Sequence, residues 1–281
     1  MQQILIFTDL DGTLLDHHDY SFTAAQPSLE QIRRQDIPLI LSSSKTAAEL
    51  RVLRRRLESR HPCIVENGAA ILFPENYFKR VSSGSSSPPD EKLSAYFFGS
   101  GYADLIDIVH QLRAKHRYRF TGFADFSVAE VAEATGLDQD SALLAKTRDG
   151  SEPIRWEDNL EALDRFRRDL APHQLQLIKG GRFYHILPMV DKGEAVSWLI
   201  SRYRQCSPGT DFFTIALGDG LNDLPMLEKV DLAVVLPSAC GDLVEPTGVR
   251  TMRMNEPGPI GWNRAINEVF NELQTEGEEN E

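Results

Sequence analysis

A pair of aspartates follows the first apolar segment of the chain, at a spacing that favours chemistry. Residues 3–8 are apolar, β-branched and aromatic, as in a buried strand, and Asp9, Asp11 and Gly12 come directly after them. Side chains two positions apart on extended backbone point to the same side, so these two carboxylates would repel each other without a proton or metal ion. We therefore predict a functional site at this strand end.

The same residues also fit two structural alternatives. A plain turn is one, because Asp and Gly are common turn residues. An EF-hand calcium loop is the second, and it needs Gly at its sixth position and Glu at its twelfth. Counted from Asp9, those positions hold Leu14 and Tyr20, which excludes the calcium loop.

A second apolar segment also ends in acidic residues. Residues 212–217 predict a buried strand, and Asp219, Asn222 and Asp223 follow it. Asp223 has a structural alternative, since it can cap a helix that begins near Pro225. No such role explains Asp219, which we predict to be a site residue.

Hydroxyl groups and a cation follow another predicted strand, at residues 38–41. Ser43 and Lys45 precede a capping box formed by Thr46 and Glu49. A hydroxyl beside a helix N-terminus suits a phosphate oxygen. Serine is also ordinary helix-start chemistry, so the residues alone leave both interpretations open.

Lys192 lies in the first turn of a predicted helix that Asp191 and Glu194 would cap. The helix dipole favours anions at this end, so a lysine here indicates a negatively charged partner. An exposed surface lysine is the structural alternative.

An Asp/His cluster at residues 16–19 suggests a metal site, because both residue types bind metals. Phosphoesterases with an Asp-His-His motif need further aspartates at strand ends upstream of it, and only one strand precedes this cluster. Adjacent His17 and His18 would also point to opposite sides on extended backbone. We prefer a polar loop near the site entrance.

The predicted elements alternate between strand and helix, which favours a parallel sheet with right-handed crossovers. Ligands bind at the carboxyl ends of the strands in such sheets, and Asp9, Ser43 and Asp219 all follow strand ends. A Ser/Pro-rich stretch at residues 82–89 predicts a linker. The following residues, to about 187, mix helices and strands and include a hairpin around Gly180 and Gly181, as in an inserted α/β domain.

The bulk composition is that of an ordinary globular protein of 281 residues, with 41% hydrophobic and 26% charged residues. Its formal net charge of −12 argues against nonspecific binding to nucleic acid or anionic membranes. Three cysteines without metal-ligand spacing predict idle thiols in a reducing compartment. With neither a signal peptide nor a membrane-spanning segment, we expect a cytoplasmic location. The acidic residues 276–281 predict a disordered end.

The motifs together resemble those of the haloacid dehalogenase superfamily of phosphatases. The four matching segments are Asp9-x-Asp11-Gly12-Thr13, Ser43, Lys192-Gly193 and Gly218-Asp219-Gly220-Leu221-Asn222-Asp223. The late, large insertion is similar to the large-cap branch, in which Asn67-Gly68 also recurs. Within that branch the chain resembles the mannosyl-3-phosphoglycerate phosphatases at residues 16–22, 42–46, 66–70, 151–154 and 180–185.

This resemblance implies an α/β fold with a Rossmann-like parallel core, helices on both faces and an inserted α/β cap. Core segments would span residues 1–84 and 190–281, and the cap residues 85–189. Asp9 would be the nucleophile, Asp11 the general acid and base, and Lys192 a third catalytic group. Mg²⁺ would be held by the carboxylates of Asp9 and Asp219 and the backbone carbonyl of Asp11. The residues implied to bind phosphate or substrate are Gly12, Ser43, Asn222 and Asp223. From the residues themselves, the Gly180-Gly181 turn of the cap exposes backbone amides that suit an anion, and Arg182, with Lys45 from the core side, is a candidate contact of a substrate carboxylate. A hairpin turn with a solvated arginine is the structural alternative.

The expected function is hydrolysis of a small phosphorylated sugar, a glycosyl-3-phosphoglycerate, through an aspartyl-phosphate. Two enzymatic alternatives stay open: a phosphatase of another sugar or polyol phosphate, and a phosphomutase with the same nucleophile. A binding module without turnover is disfavoured because the residues of all four motifs are present. Glu66 and Asn67 would also face the site by the same resemblance, whereas Asn-Gly by itself predicts a hairpin turn.

Overall fold

The structure is a computed structural model, and it describes residues 2–83, 92–99, 101–180, 182–239, 241 and 243–279. The chain forms two compact units. Unit 1 comprises Met1–Ser43, Phe78–Ser85 and Val196–Glu281, and unit 2 comprises Ser44–Tyr77 and Ser86–Ala195. The cap boundaries predicted at residues 85 and 189 stay a prediction.

The described residues form strands and helices in alternation along much of the chain. The strands are β1 Gln3–Thr8, β2 Leu39–Ser42, β3 Cys63–Val65, β4 Ala70–Pro74, β5 Leu93–Phe97, β6 Phe120–Gly122, β7 Glu152–Trp156, β8 Leu175–Lys179, β9 Tyr184–Pro188, β10 Phe212–Gly218, β11 Leu232–Val235 and β12 Arg250–Arg253. The α-helices are α1 Gln26–Arg34, α2 Ala47–Arg56, α3 Tyr77–Ser83, α4 Tyr102–His116, α5 Val128–Thr135, α6 Gln139–Lys146, α7 Leu160–Leu170, α8 Lys192–Cys206, α9 Leu224–Leu227 and α10 Gly258–Glu279. No helix of the described residues is both long enough and apolar enough to cross a membrane.

Unit 1 contains a parallel sheet with the strand order β12-β11-β10-β1-β2. Strand β1 lies between β10 and β2, and its side chains Leu5, Ile6 and Phe7 are fully buried. Thr8 pairs with Leu217 on one side and Leu41 on the other, so all three strands end at the same edge. The predicted parallel α/β fold is confirmed, with the predicted site residues Asp9, Ser43 and Asp219 following these strand ends.

The last helix of unit 1 differs from its prediction at the C-terminal end. α10 extends through Glu279, so residues 276–279, which we predicted to be disordered, are helical. Once a helix is nucleated, each further residue adds a backbone hydrogen bond at little cost, which allows a polar end to continue the helix.

Unit 2 contains two antiparallel arrangements. β3, β4 and β5 form a ribbon, in which the predicted β3–β4 hairpin is confirmed. A separate sheet has the order β6-β7-β9-β8 and includes the predicted hairpin of β8 and β9. Residues of α4 and α7 pack on one face of this sheet around a core that includes Leu105, Ile154 and Phe166. Helices α5 and α6 enclose a smaller core of their own.

Several local predictions needed correction or fall outside the described residues. The spacing of Thr23 and Gln26 predicts a capping box. This box is absent, because Thr23–Ala25 forms a 3-10 turn and α1 begins at Gln26 with Pro27 in its first turn. The predicted linker at 82–89 lies outside the described residues from residue 84 onward, and α3 extends to Ser83. Cys63 and Cys206 are free thiols, whereas Cys240 is not described.

Candidate active site

The first site residue, Asp9, is held by its own strand and by the last helix. It follows β1 and is only 6% exposed. The Thr8 hydroxyl donates to the Asp9 carbonyl at 2.7 Å and accepts a hydrogen bond from Trp262 Nε1 at 3.0 Å. Because Thr8 and Trp262 are fully buried, this chain of hydrogen bonds fixes the backbone that carries the Asp9 carboxylate.

The loop after Asp9 is a tight turn that meets the end of β10. The Gly12 amide donates to the Leu15 carbonyl at 2.9 Å, and the Leu15 amide donates to Leu10 at 2.7 Å. Gly12 has a φ of +85°, and a Cβ at this position would lie 2.7 Å from Asp219 Oδ2. Only glycine therefore permits both the turn and this close approach. The turn alternative is thus correct for the backbone, and the turn places Gly12 directly beside the Asp219 carboxylate.

Thr13 orients the carboxylate at the end of β10. Its hydroxyl donates to Asp219 Oδ1 at 2.9 Å, and the Thr13 side chain is fully buried. This hydrogen bond connects residues 206 positions apart in the chain, so it requires the parallel pairing of β1 and β10.

Asp223 closes the loop after β10. Its Oδ2 accepts hydrogen bonds from the amides of Asp219 at 3.1 Å and Gly220 at 3.0 Å. The predicted alternative, in which Asp223 caps the helix near Pro225, is wrong: α9 has no side-chain cap at its N-terminus. The Asp223 carboxylate turns back toward Asp219 because the loop amides there need an acceptor.

Asp9, Asp219 and Asp223 form what we call the acid cluster. One carboxylate oxygen from each lies within 4.8 Å of the others, and all three residues are buried. Among the described residues, this is the one group of three or more His, Cys, Asp or Glu side chains close enough to hold a metal ion. Three carboxylates at this separation repel each other, and a divalent cation would offset the repulsion.

The Asp/His loop at residues 16–19 does not join the acid cluster. His17 and His18 are exposed, with their rings in edge contact at 5.4 Å. Asp16 Oδ1 accepts from the amides of His18 and Asp19, and these hydrogen bonds lower the pKa of the Asp16 carboxyl. The loop is a polar turn stabilised by Asp16, in agreement with the polar loop predicted from the sequence.

Other predicted site residues are divided between the two units. In unit 1, Ser43 is buried directly after β2, and Asp11 and Asn222 are half-buried. In unit 2, Lys192 is 1% exposed as the first residue of α8, where Asp191 Oδ1 accepts from the Glu194 amide at 2.9 Å. The alternative of an exposed surface lysine is therefore excluded, while the phosphate contacts of Lys45 and Lys192 stay predictions.

Arg182 lies in the exposed turn between β8 and β9, and its guanidinium donates to the Thr135 carbonyl at the end of α5. A cation at a helix C-terminus stabilises the helix by interacting with its dipole, so this contact gives Arg182 a structural role that does not involve substrate. Its substrate role stays a prediction, as does the anion-binding turn, since Gly181 is outside the described residues.

Sequence reasoning missed Thr8, Thr13 and Trp262 as supports of the site. Thr13 had a signal, because it directly follows the Asp9-x-Asp11-Gly12 segment. Thr8 and Trp262 had none, since their hydrogen bond depends on the packing of α10 against β1.

Comparisons with known proteins give a consistent result. Residues 6–93 match the profile of the haloacid dehalogenase-like hydrolase family. A glucosyl-3-phosphoglycerate/mannosyl-3-phosphoglycerate phosphatase of Methanococcoides burtonii is 40% identical over 268 residues, which are 95% of this chain and 97% of that protein. A protein of the same name from Persephonella marina is 36% identical over 96% of this chain and 98% of its own length.

A solved structure resembles the fold at low sequence identity. It is a phosphatase of the haloalkanoate enzyme superfamily from Bacteroides thetaiotaomicron, with a TM-score of 0.63 and 15% identity over 95% of each chain.

Proposed function

This chain belongs to the haloacid dehalogenase-like hydrolases, and from that premise we propose that it is a magnesium-dependent phosphatase of a glycosyl-3-phosphoglycerate. The products are the glycosylglycerate and inorganic phosphate. The observation that carries the proposal is the acid cluster, in which Asp9 and Asp219 meet at the ends of two paired parallel strands.

The chemistry proceeds in two steps through an aspartyl-phosphate. In the first, a carboxylate oxygen of Asp9 bonds to phosphorus, the bond from phosphorus to the glycerate oxygen breaks, and Asp11 gives that oxygen a proton. In the second, Asp11 takes a proton from water as the water attacks phosphorus, and the bond to Asp9 breaks. Both residues return to their starting protonation states.

A magnesium ion fits the donor set of the site, because Mg²⁺ prefers oxygen ligands from one or two carboxylates. The carboxylates of Asp9 and Asp219 and the Asp11 carbonyl would hold it, with Asp223 as the third buried acid of the cluster. When bound, it would offset the charge of a carboxylate nucleophile facing an anionic phosphate.

Further residues hold the phosphate in this proposal. Ser43 donates its hydroxyl to a phosphate oxygen, and Lys192 neutralises part of the phosphate charge. Gly12 leaves room for the phosphate at the turn, and Asn222 and Lys45 add polar contacts. Lys192 is suited to this role because it is buried as the first residue of α8, and its ammonium group has the charge opposite to that of phosphate.

The substrate is proposed from the relatives. Both curated proteins are named for two glycosyl-3-phosphoglycerates, and their similarity extends over more than nine-tenths of this chain. The substrate carries a carboxylate beside its phosphate, for which Arg182 is our candidate contact. The cytoplasmic location is likewise part of the proposal.

The deciding experiment is the replacement of Asp9 by asparagine. Asp9→Asn should abolish turnover and keep the fold, because the two side chains are nearly isosteric. Hydrolysis of mannosyl-3-phosphoglycerate, glucosyl-3-phosphoglycerate and other sugar phosphates is measured with and without Mg²⁺, and mass spectrometry locates the phosphoryl adduct. Asp19→Asn, in the exposed neighbouring loop, is the matched control and should keep wild-type activity.

Turnover by Asp9→Asn within about tenfold of wild type, or ~1.4 kcal/mol of barrier, would refute the nucleophile. Transfer of the phosphoryl group to a second sugar instead of water would identify a phosphomutase. Hydrolysis of other sugar phosphates alone would refute the substrate and leave the chemistry in place.

A further inference from the structure

Glu66 has an unusual environment for the first residue of a hairpin turn. Its side chain is 1% exposed, although most turn carboxylates face solvent. Glu66, Asn67 and Gly68 all have positive φ, at 51°, 57° and 102°. A hairpin turn accounts for positive φ at Asn67 and Gly68, whereas positive φ at a glutamate is strained and persists only where surrounding contacts hold it. A simple connection between β3 and β4 does not need this arrangement.

The Glu66 carboxylate accepts three hydrogen bonds from one segment, residues 149–151. Oε1 accepts from the Asp149 amide at 2.8 Å, and Oε2 accepts from the Gly150 amide at 3.2 Å and the Ser151 hydroxyl at 2.8 Å. Arg148 Nε lies 3.4 Å from Oε2, and both side chains of this ion pair are buried. The loop that leads into β7 is therefore attached to the turn after β3.

Glu66 and Arg148 also form hydrogen bonds with the two residues that follow Ser43. The Glu66 amide donates to the Lys45 carbonyl at 3.0 Å, and Arg148 Nη2 donates to the Ser44 carbonyl at 3.1 Å. Both hydrogen bonds fix backbone carbonyls, so they determine the path of the loop rather than the position of one side chain.

Gly68 connects the turn to a third segment. A Cβ at Gly68 would lie 2.3 Å from the Asp191 carbonyl oxygen and 3.0 Å from the Lys192 amide nitrogen. Only glycine permits this contact, and it lies at the residue where α8 begins. The turn at residues 66–68 thus contacts the segments next to two of the proposed phosphate-binding residues, Ser43 and Lys192.

From these contacts we propose that Glu66, with Arg148 as its charged partner, is a positioning residue that sets the segments carrying Ser43 and Lys192 for phosphate binding. This inference rests on the proposed function, in which those two residues hold the phosphate. Stability alone would not require an ion pair here, because well-packed apolar residues serve a buried site at least as well. What the charged pair adds is a fixed arrangement of the backbone carbonyls of residues 44–45 and the backbone amides of residues 149–150.

The test compares Glu66→Gln with Glu152→Gln. Glu152 is a close match: it is also 1% exposed and accepts from a backbone amide, that of Ala124 at 2.7 Å, and from a hydroxyl, that of Tyr102 at 2.7 Å. Its partners lie outside the two loops that flank Ser43 and Lys192. Three quantities are measured at a temperature where all proteins are folded: kcat and KM on mannosyl-3-phosphoglycerate, the same on an aryl phosphate, and calorimetric affinity for orthovanadate as a phosphate mimic.

We expect Glu66→Gln to lower kcat by about tenfold or more on both substrates, and to weaken orthovanadate binding similarly, because supporting partners typically contribute this much. Glu152→Gln should stay within about twofold of wild type in all three measurements. Equal losses in the two variants, or a loss only in thermal stability, would overturn the inference.

Two further outcomes are decided by the same design. If Glu66→Gln does not fold, Ser151→Ala removes one of the three donors, and a kcat equal to that of wild type would overturn the inference. If the wild type hydrolyses neither substrate, the proposed function fails. The positioning role is then decided by orthovanadate binding alone, and equal affinities of wild type and Glu66→Gln would overturn it.

Discussion

Thr13 determines the direction of the Asp219 carboxylate in the acid cluster, because the Thr13 hydroxyl donates to Asp219 Oδ1 at 2.9 Å. Thr13→Val keeps the shape and removes this hydrogen bond. We expect the Mg²⁺ concentration for half-maximal activity to rise about tenfold, as for other residues that orient metal ligands. Activity measured across a Mg²⁺ titration tests this.

Thr214→Val is the matched control for that titration. Thr214 is equally buried, donates its hydroxyl to Asp231 at 2.6 Å, and lies at the opposite end of the strand that precedes Asp219. Its replacement should lower stability without changing the Mg²⁺ requirement. A shift in both variants would mean that any buried hydroxyl matters equally, contrary to the orienting role of Thr13.

Gly12 and Gly209 separate backbone strain from crowding of the site. They have nearly the same φ, +85° and +83°, but a Cβ on Gly12 would meet Asp219, whereas a Cβ on Gly209 would meet nothing within 4 Å. Each alanine variant should lose about 1 kcal/mol of stability through the left-handed backbone. Only Gly12→Ala should also lower kcat, by about tenfold or more, since Asp219 must move away. Equal kcat values in the two variants, from steady-state kinetics, would contradict the close approach.

At the scale of single residues, the sequence predicted members of the acid cluster better than the residues that support them. Asp219 was predictable because an acid directly after a buried strand has no structural use. Thr8 and Trp262 were not, since a buried threonine and tryptophan are ordinary core residues until the tertiary structure joins them. Glu66 is indicated only through resemblance, and its partners are 83 to 85 positions away in the chain.

At the scale of elements, one residue, Thr46, stabilises the N-terminus of α2 through two different interactions. Thr46 forms the predicted capping box with Glu49, and its hydroxyl also donates to the Leu144 carbonyl at 2.8 Å. Ser127 caps α5 with Glu130, and its hydroxyl has no such distant acceptor within the described part of the chain. Ser127→Ala should cost about 1 kcal/mol. Thr46→Ala should cost about 2 kcal/mol, because it also removes the part-buried hydrogen bond to Leu144, worth about 1 kcal/mol, whereas the second hydrogen bond of Ser127 goes to the exposed Glu130 carboxylate.

Urea unfolding of the two variants measures this difference, and Thr46→Ser should restore nearly all of the loss because it keeps the hydroxyl. Equal losses for Thr46→Ala and Ser127→Ala would show that the hydrogen bond to Leu144 adds nothing to stability.

The elements themselves were predictable where one pattern dominated. β1 and β10 have long apolar runs, and the β8–β9 hairpin has two glycines at its turn, so their positions were close to those observed. β7 begins with Glu152 and Pro153, residues that argue against a strand, and only pairing with β6 and β9 defines it. The Thr23 capping box was wrong because Pro27 sets the start of α1 from within its first turn.

At the scale of the whole molecule, the chain crosses between its two units several times, so each unit is built from distant segments. Such an organisation makes the stability of each unit depend on residues that no local pattern connects. Two half-buried histidines of unit 2 have pKa values lowered by burial and by arginines. Burial, with a smaller effect from Arg148, lowers the pKa of His185 to about 3, and burial with Arg54 and Arg60 lowers the pKa of His61 to about 4.

These shifts predict a loss of stability in mild acid. Below pH 6.5 the unfolded chain binds a proton at each histidine, whereas the folded protein does not until the pH approaches 4 for His61 and 3 for His185. The free energy of unfolding should therefore fall as the pH falls from 6.5, by up to about 1.4 kcal/mol per pH unit for each histidine. Burial raises the pKa of Glu152, which acts in the opposite direction.

All the proteins compared below keep Glu152, so the difference between a histidine variant and wild type in the pH dependence of the free energy of unfolding reports the histidine alone. Urea unfolding at pH 7, 6 and 5 is measured for wild type, His185→Asn, His61→Asn and the control His173→Asn, whose side chain is exposed. Each of the first two variants should lose less stability between pH 7 and pH 5 than wild type, because asparagine does not titrate, and His173→Asn should follow the wild-type curve. Parallel curves for all four proteins would mean that His61 and His185 are protonated as readily in the folded protein as in the unfolded chain, which their burial argues against.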